Sequence, residues 1–348
     1  MKVGIDISKM HSMNKGRGVG FYTENLTCGL KKYTDIEVVV IEKESDVKVD
    51  LIHYPFFDLF RNTLSVKKDI PTVVTVHDVT PLVFSKHYPP GIKGKINFFR
   101  QKQLLKKTSA IITDSASSKK DISMYLNYSE HKIYPIHLAQ SDRFRVINDK
   151  KYLEGVKDKY KLTDKFACFI GNVNWNKNIL GIVEACIKAE IDLYLIGGSF
   201  TSRENLNHPE LRSFNEFLKR YSKNPTIHIL GYVDDLDVVG ILNLATVFVF
   251  PTFYEGFGMP ILEAQACGIP VVTGNTSSIP EIVGSSAVMV DPNNVEEIKE
   301  AIIKVYQEKA LREKLIMQGF DNVKRFSWEK SVKETVEVYE KVLYGKNN

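Results

Sequence analysis

A chain of 348 residues is too long for one ordinary core and right for two domains of the usual size. Hydrophobic residues at 43% and charged residues at 26% exclude a disordered or fibrous chain. The net charge of +5 is uneven: residues 1–163 carry 28 Lys and Arg against 18 Asp and Glu, and residues 164–348 carry 19 against 24, so the basic surface belongs to the first half, where nucleic acid, anionic lipid and a phosphorylated acceptor all stay open.

Along the chain, short β-branched runs predict strands at residues 2–7, 37–41, 50–53, 72–76, 110–113 and 132–135, several of them separated by helical patterns. A polar, charged stretch at 140–164 reads as the linker. The scheme then repeats, with strands at 166–170, 191–196, 226–230, 246–250, 270–273 and 287–290, and a helical pattern at 328–344. Near-continuous apolar strands alternating with helices imply parallel sheets covered on both faces, hence α/β architecture in two doubly wound, Rossmann-like domains with ligands at the carboxyl ends of the strands. No apolar run approaches the roughly 18 residues of a membrane span, and Asp6 interrupts the stretch where a signal peptide needs an apolar core, so a cytoplasmic protein is expected. Cys28, Cys168, Cys186 and Cys267 lack zinc or redox spacing and read as reduced packing residues.

The strand at 246–250 leads into Pro251-Thr-Phe-Tyr-Glu-Gly-Phe-Gly-Met-Pro-Ile-Leu-Glu263, a glycine-rich turn that opens a helix. Gly256 and Gly258 permit close backbone approach, and the amides at the helix start suit a phosphate or a sugar hydroxyl. At about 1.5 Å per residue, Glu263 lies roughly 8 Å along the helix from Gly258, the span from a phosphate to a ribose. Two glutamates eight apart would on their own be a solvated helix face; the strand-turn-helix setting reverses that reading.

Residues 255–272 resemble the hallmark of the retaining family 4 glycosyltransferases of the GT-B fold, Glu-Gly-Phe-Gly-x-Pro-x-x-Glu-Ala-x-Ala-Cys-Gly-x-Pro-Val-Val. The resemblance runs on through Ser278-Ile-Pro-Glu-Ile-Val, Val290-Asp-Pro and Phe326-Ser-Trp-Glu-Lys330, and upstream covers essentially the whole chain. It implies two domains facing across a cleft, 1–163 joined by a returning helix at 328–348, and 164–327 binding the nucleotide sugar. It also implies that Glu263 binds the ribose, that Glu255 with Gly256, Phe257 and Gly258 contacts the donor sugar, and that Lys177 neutralises the pyrophosphate. Asn172, in the same loop as Lys177, is a further donor contact. The chain departs from the family here, with Asn172 and Asn176 where many members have Arg, which removes a bidentate phosphate clamp.

In the first half, Gly16-Arg-Gly-Val-Gly-Phe-Tyr22 follows the first strand, and Gly16, Gly18 and Gly20 resemble the family turn that meets donor and acceptor through its backbone. A dinucleotide site would want an acid at the end of the second strand; Glu42 could serve, but nothing else supports a nicotinamide enzyme. His77 and Asp78 end the strand at 72–76. By the resemblance His77 lies beside the donor sugar, with Asp78 helping or holding the imidazole; His53 and His137 read as structural. Asp234, Asp235 and Asp237 mimic a metal-binding Asp-x-Asp, yet their place before a helical pattern makes them capping and first-turn acids, so no metal is expected. No cofactor is expected either, the nucleotide-diphosphate sugar being a co-substrate. Residues 92–107 form a basic amphipathic pattern, with Lys93, Lys95, Arg100, Lys102, Lys106 and Lys107 among apolar residues. It suits peripheral contact with an anionic membrane and a lipid-linked acceptor, against the competing reading of a core-facing helix with a solvated basic side.

The resulting expectation is a retaining hexosyltransferase acting on a glycan or lipid-linked acceptor in cell-surface polysaccharide synthesis. Attack comes from the front face, the departing phosphate taking the acceptor proton. GDP-mannose is the favoured donor because His77-Asp78-x-x-Pro81-Leu82 is common among mannosyltransferase-like relatives. Domain closure, with bending around 140–164, would bring His77 and Lys177 together. The rivals are a non-catalytic nucleotide-sugar-binding subunit and a nucleotide-sugar epimerase; a nucleic-acid role rests on charge alone and is not adopted.

Overall fold

Each apolar run becomes a short parallel strand. In the computed structural model, which describes residues 1–9, 18–43, 48–67 and 69–345, the chain divides into one unit of Met1–Leu138 with Phe326–Asn348 and a second of Ala139–Arg325. The first contains β1 (Lys2–Asp6), α1 (Gly18–Tyr33), β2 (Glu37–Ile41), β3 (Leu51–Tyr54), β4 (Thr72–Thr75), α2 (Thr80–Val83), α3 (Gly91–Leu105), β5 (Ala110–Thr113), α4 (Ala116–Leu126) and β6 (Ile133–Pro135). Its sheet runs β2-β1-β3-β4-β5-β6, parallel throughout. Every residue of β3, β4 and β5 is buried, as a sheet covered on both faces requires.

The second unit contains α5 (Lys150–Tyr160), β7 (Ala167–Ile170), α6 (Ile179–Lys188), β8 (Leu193–Ile196), α7 (Arg212–Tyr221), β9 (Ile227–Gly231), α8 (Asp235–Leu244), β10 (Val247–Phe250), α9 (Met259–Ala266), β11 (Val271–Gly274), α10 (Ile279–Val283), β12 (Val288–Val290), α11 (Val295–Gln307) and α12 (Lys309–Val323). Its order is β12-β11-β10-β7-β8-β9. The chain reverses direction across the sheet between β7 and β10, and in the first unit between β1 and β3; in open α/β sheets ligands bind outside the carboxyl ends at such points. The second core is built on fully buried aromatics, among them Phe169 stacked on Phe250 with centroids 5.7 Å apart, each contributing about 1.5–3 kcal/mol by burial.

The expected boundary at 163/164 falls one helix too late. Stretch 140–164 is not a free linker: Phe144 and Val156 belong to the second core, Tyr152 donates to the Leu236 carbonyl at 2.8 Å, and α5 lies so close to α8 that a Cβ on Gly240 would stand 2.9 Å from Val156. Only Val156 of α5 is fully buried, which is why the segment looks polar in sequence. After α12 the chain returns as α13 (Trp328–Tyr344), packed on α1, where a Cβ on Gly29 would stand 2.6 Å from Val332.

Among the described residues no helix is long and apolar enough to cross a membrane. Helix α3 has no acidic residue, and Ile92, Ile96 and Phe99 along it are 83%, 52% and 65% exposed. Cys168, Cys186 and Cys267 are buried, whereas Cys28 is exposed on α1 and packs in no core.

Candidate active site

The second unit assembles its site from the loops after β7 and β10, on the two sides of its reversal point. Lys177 sits in a short 3-10 turn, Trp175–Lys177, and Asn178 in the left-handed region starts α6. Its ammonium donates to both carboxylate oxygens of Glu255 at 2.8 Å and lies 5.3 Å over the Phe250 ring. The pair is largely withdrawn from water, the side chains being 14% and 10% exposed. In such surroundings the two-oxygen geometry offsets the desolvation of both ions.

Side chains fasten these loops together. Asn176 is buried and donates to the Tyr254 carbonyl at 2.8 Å, while its own carbonyl accepts from Phe253. Asn178 donates to the carbonyls of Pro251 and Pro292 at 3.0 and 2.7 Å. Trp175 stacks on Phe253 at 4.7 Å. From the loop after β11, the Ser277 hydroxyl accepts from the Glu255 amide at 2.9 Å, and Ser278 donates to the carbonyls of Glu255 and Phe257. Asn176 is therefore a buried staple between the two loops. Asn172 is exposed, and its side chain accepts from the Asn174 amide within the same loop.

Gly256 is half-buried and Phe257 buried. Gly258 caps α9 with φ at 110°, and a Cβ there would stand 2.9 Å from the Ile279 side chain, so both backbone and space demand glycine. One helical turn on, burial lifts the Glu263 carboxyl to about 7, with Arg143 pulling it down and Asp235 pushing it up. Arg143 and Asp235 form an ion pair of their own. Asp234 precedes α8 as its N-cap residue, without a side-chain cap bond. Asp237 accepts from Lys159 and Tyr160, and no three His, Cys, Asp or Glu side chains gather as metal ligands among the described residues.

In the first unit, the register that pairs Thr75 with Ile112 carries His77 and Asp114 out of adjacent strands side by side. The His77 Nδ1 and Asp114 Oδ2 are 2.8 Å apart. Burial works against a charged imidazole, but Asp114, with smaller help from Asp78 and the Pro55 carbonyl, outweighs it and raises the His77 pKa above its ordinary value. The His77 Nε2 and the Asp114 Oδ1 are buried without hydrogen-bond partners. Asp78 does not hold the imidazole: its carboxylate accepts from the Thr80 amide at 2.8 Å, at the start of α2. The holder is Asp114, which the sequence reading missed. Its signal was a strand-end acid one strand over, at equal distance past paired residues.

His77 also meets the edge of Tyr22 at 4.9 Å. Behind it runs a fully buried chain, Tyr22 Oη to Thr75 Oγ1 at 2.8 Å, Thr75 to His53 Nε2 at 2.8 Å, and His53 Nδ1 to Tyr339 Oη at 2.6 Å. Burial, with His77 adding to it, drops the His53 pKa to about 3, so this imidazole is neutral and structural. His137 packs against Phe326. Gly18 and Gly20 lie in the first turn of α1, and Gly16 lies outside the described residues.

The sequence matches Glycosyl transferases group 1 over residues 156–322 and Glycosyltransferase Family 4 over residues 38–139. It is 31% identical over 274 residues to O-antigen chain mannosyltransferase B of Escherichia coli, covering 77% of this chain and 69% of that protein. It is 25% identical over 288 residues to the Escherichia coli serotype-specific mannosyltransferase WbdA, covering 81% of this chain, and spans about a third of that protein's length, 35%. Among solved structures, sucrose-phosphate synthase from Thermosynechococcus elongatus superposes with a TM-score of 0.75 at 15% identity, covering 99% of this chain and 100% of that one. Anabaena Alr3699/HepE, solved in complex with UDP-glucose, gives 0.73 at 14% identity, covering 98% and 99%. The two structures share the fold with this chain.

Proposed function

The chain belongs to the group 1 glycosyltransferases of GT-B fold and is a hexosyltransferase, and on that premise we propose that it transfers mannose from GDP-mannose, with retention, to a glycan or lipid-linked acceptor in cell-surface polysaccharide synthesis. The observation that carries the reading is the Lys177–Glu255 pair beside Gly258 at the reversal point of the second sheet. Lys177 is the cation for the departing diphosphate, and it is already desolvated, so the donor exchanges one anionic partner for another instead of stripping water from a free ammonium. Glu255, released from Lys177, then accepts from sugar hydroxyls, and Glu263 from the ribose. His77 orients a sugar hydroxyl or the acceptor. Mannose is taken from the names of the Escherichia coli relatives, and a nucleotide sugar accords with the UDP-glucose of the Anabaena protein.

The reaction in this reading needs neither cofactor nor metal, the leaving charge falling on Lys177 and on backbone amides around Gly256–Gly258. The protein works in the cytoplasm, with α3 laid on an anionic bilayer: Ile92, Ile96 and Phe99 enter it while Lys93, Lys95 and Arg100 meet headgroups. The test is a donor screen following nucleotide release across GDP-, UDP- and dTDP-sugars, with and without EDTA. GDP-mannose should be turned over best and EDTA should leave the rate unchanged. Turnover of UDP-sugars alone, or a rate abolished by EDTA and restored by manganese, contradicts the reading; an inverted anomeric product by NMR contradicts retention.

A further inference from the structure

Two buried polar atoms without partners, the His77 Nε2 and the Asp114 Oδ1, belong to one hydrogen-bonded pair at the carboxyl edge of the first sheet. Buried polar groups are almost always satisfied, so a dyad with one bond made and an unused nitrogen calls for a reason. The imidazole can turn about its Cα–Cβ and Cβ–Cγ bonds, and two contacts restrain it: Asp114 holds Nδ1, and Tyr22 stands edge-on at 4.9 Å. Tyr22 is itself fixed by Thr75, which the His53–Tyr339 pair holds in turn.

We propose that Asp114 is the positioning residue for His77, fixing Nδ1 as the internal donor so that Nε2 is the atom left for a substrate oxygen, while the Asp78 carboxylate bonds to the start of α2. An Nδ1 that donates to a carboxylate cannot also be the nitrogen that reaches substrate; the dyad thereby leaves Nε2 as the remaining atom, as a buried acid does for a catalytic imidazole generally. The groups facing His77 are Asp114 just after β5, Tyr22 from α1, His53 from β3, the Pro55 carbonyl just after β3, and its own neighbour Asp78, with His137 beyond β6 acting on Asp114. Asp114 outweighs the others, which accords with the raised pKa of the ring. This inference rests on the role given to His77 under the proposed function.

The test compares His77→Ala, Asp114→Asn, Asp114→Glu and Asp78→Asn in GDP release from GDP-mannose, together with imidazole titration by long-range proton–nitrogen NMR on the wild-type chain and on each variant. Asp114→Asn should lower kcat about 100-fold, the scale of a misplaced reacting group, with the donor KM within about twofold, and should move the His77 titration to lower pH. Asp114→Glu should recover part of both, and Asp78→Asn, whose pull on the ring is the smaller, should move the His77 titration less than Asp114→Asn does. Wild-type kcat and an unmoved His77 titration in Asp114→Asn would overturn the proposal. If His77→Ala itself keeps wild-type turnover, the role of His77 in the proposed function fails, and the titration alone decides whether Asp114 sets the ring. Should Asp114→Asn not fold, the wild-type spectra still decide: a protonated Nδ1 across the whole titration supports the assignment, and a ring protonated at Nε2 in its neutral form contradicts it.

Discussion

At the second unit's reversal point Lys177 already has a partner, both oxygens of Glu255 at 2.8 Å, and the surrounding loops are tied by Asn176, Asn178, Ser277 and Ser278. In the first unit His77 has one bonded nitrogen and one without a partner. The two regions therefore meet a ligand differently. In the proposed reading the first gains a bond on binding, whereas the second exchanges an internal ion pair for an external one. On that reading Lys177 stays screened until a diphosphate arrives, and the rate should depend on how easily Glu255 lets go.

The variant with the largest expected effect acts on that exchange. Glu255→Ala removes the group proposed to hold the sugar, and kcat/KM for GDP-mannose should fall about 10²–10³-fold, as for loss of one preorganised polar contact in a transition state; a fall under threefold in steady-state assays would take Glu255 out of the site. Glu263→Gln is next. Its carboxyl sits at about 7 against an ordinary 4.5, so the folded chain bears no penalty below the unfolded value, an increasing one between the two, and the full one above 7. At about 1.36 kcal/mol per unit, Glu263→Gln should therefore gain up to roughly 3 kcal/mol at pH 8, shrinking to under about 1 kcal/mol at pH 5, in urea melts without ligand. Equal gains at both pH values would contradict the buried carboxyl.

The opposite sign holds across the comparison. The His77 pKa is raised, so the stability that the Asp114 pair supplies is complete below the ordinary value near 6.5 and is lost as pH rises through the folded value. The stability difference between wild type and Asp114→Asn should be larger at pH 6 than at pH 9 in the same melts.

A fourth variant probes the staple. Asn176→Arg restores the residue common in the family, but the position is buried with its side chain on the Tyr254 carbonyl. It should cost about 1–3 kcal/mol in stability and leave GDP affinity no tighter; a tighter complex would return the position to the phosphate. The smallest effect lies on α3. Lys93→Gln and Lys95→Gln should each weaken binding to phosphatidylserine vesicles about fivefold, from about 1 kcal/mol per surface cation, and cosedimentation indifferent to anionic lipid would remove the membrane from the account.

These differences also explain what could be read in advance. The central strands were visible because buried parallel strands are unbroken apolar runs: residues 72–76 against Thr72–Thr75, residues 110–113 against Ala110–Thr113. The turn and helix of residues 251–263 were visible because they are contiguous, with Gly258 and Glu263 on one turn and helix. Asp114 was not, because its meaning depends on a register between strands 37 residues apart, although that register follows once β4 and β5 are paired. Nor was the staple: Asn176 and the Tyr254 carbonyl lie 78 residues apart, and an asparagine in a loop looks solvated until its partner is placed. Helix α5 was taken for a linker because a helix with one fully buried residue, Val156, has too little apolar signal to announce what it packs on.

Calorimetric titration of GDP, which carries the diphosphate and lacks the sugar, into wild type, Lys177→Ala and Glu255→Ala tests the exchange most directly. Wild type should bind, Lys177→Ala should bind at least about tenfold more weakly for loss of one charge-assisted contact worth roughly 1.5–3 kcal/mol, and Glu255→Ala, with the competing anion gone, should bind as tightly as wild type or tighter. Wild-type affinity in Lys177→Ala would contradict the assignment of the donor diphosphate to this pair.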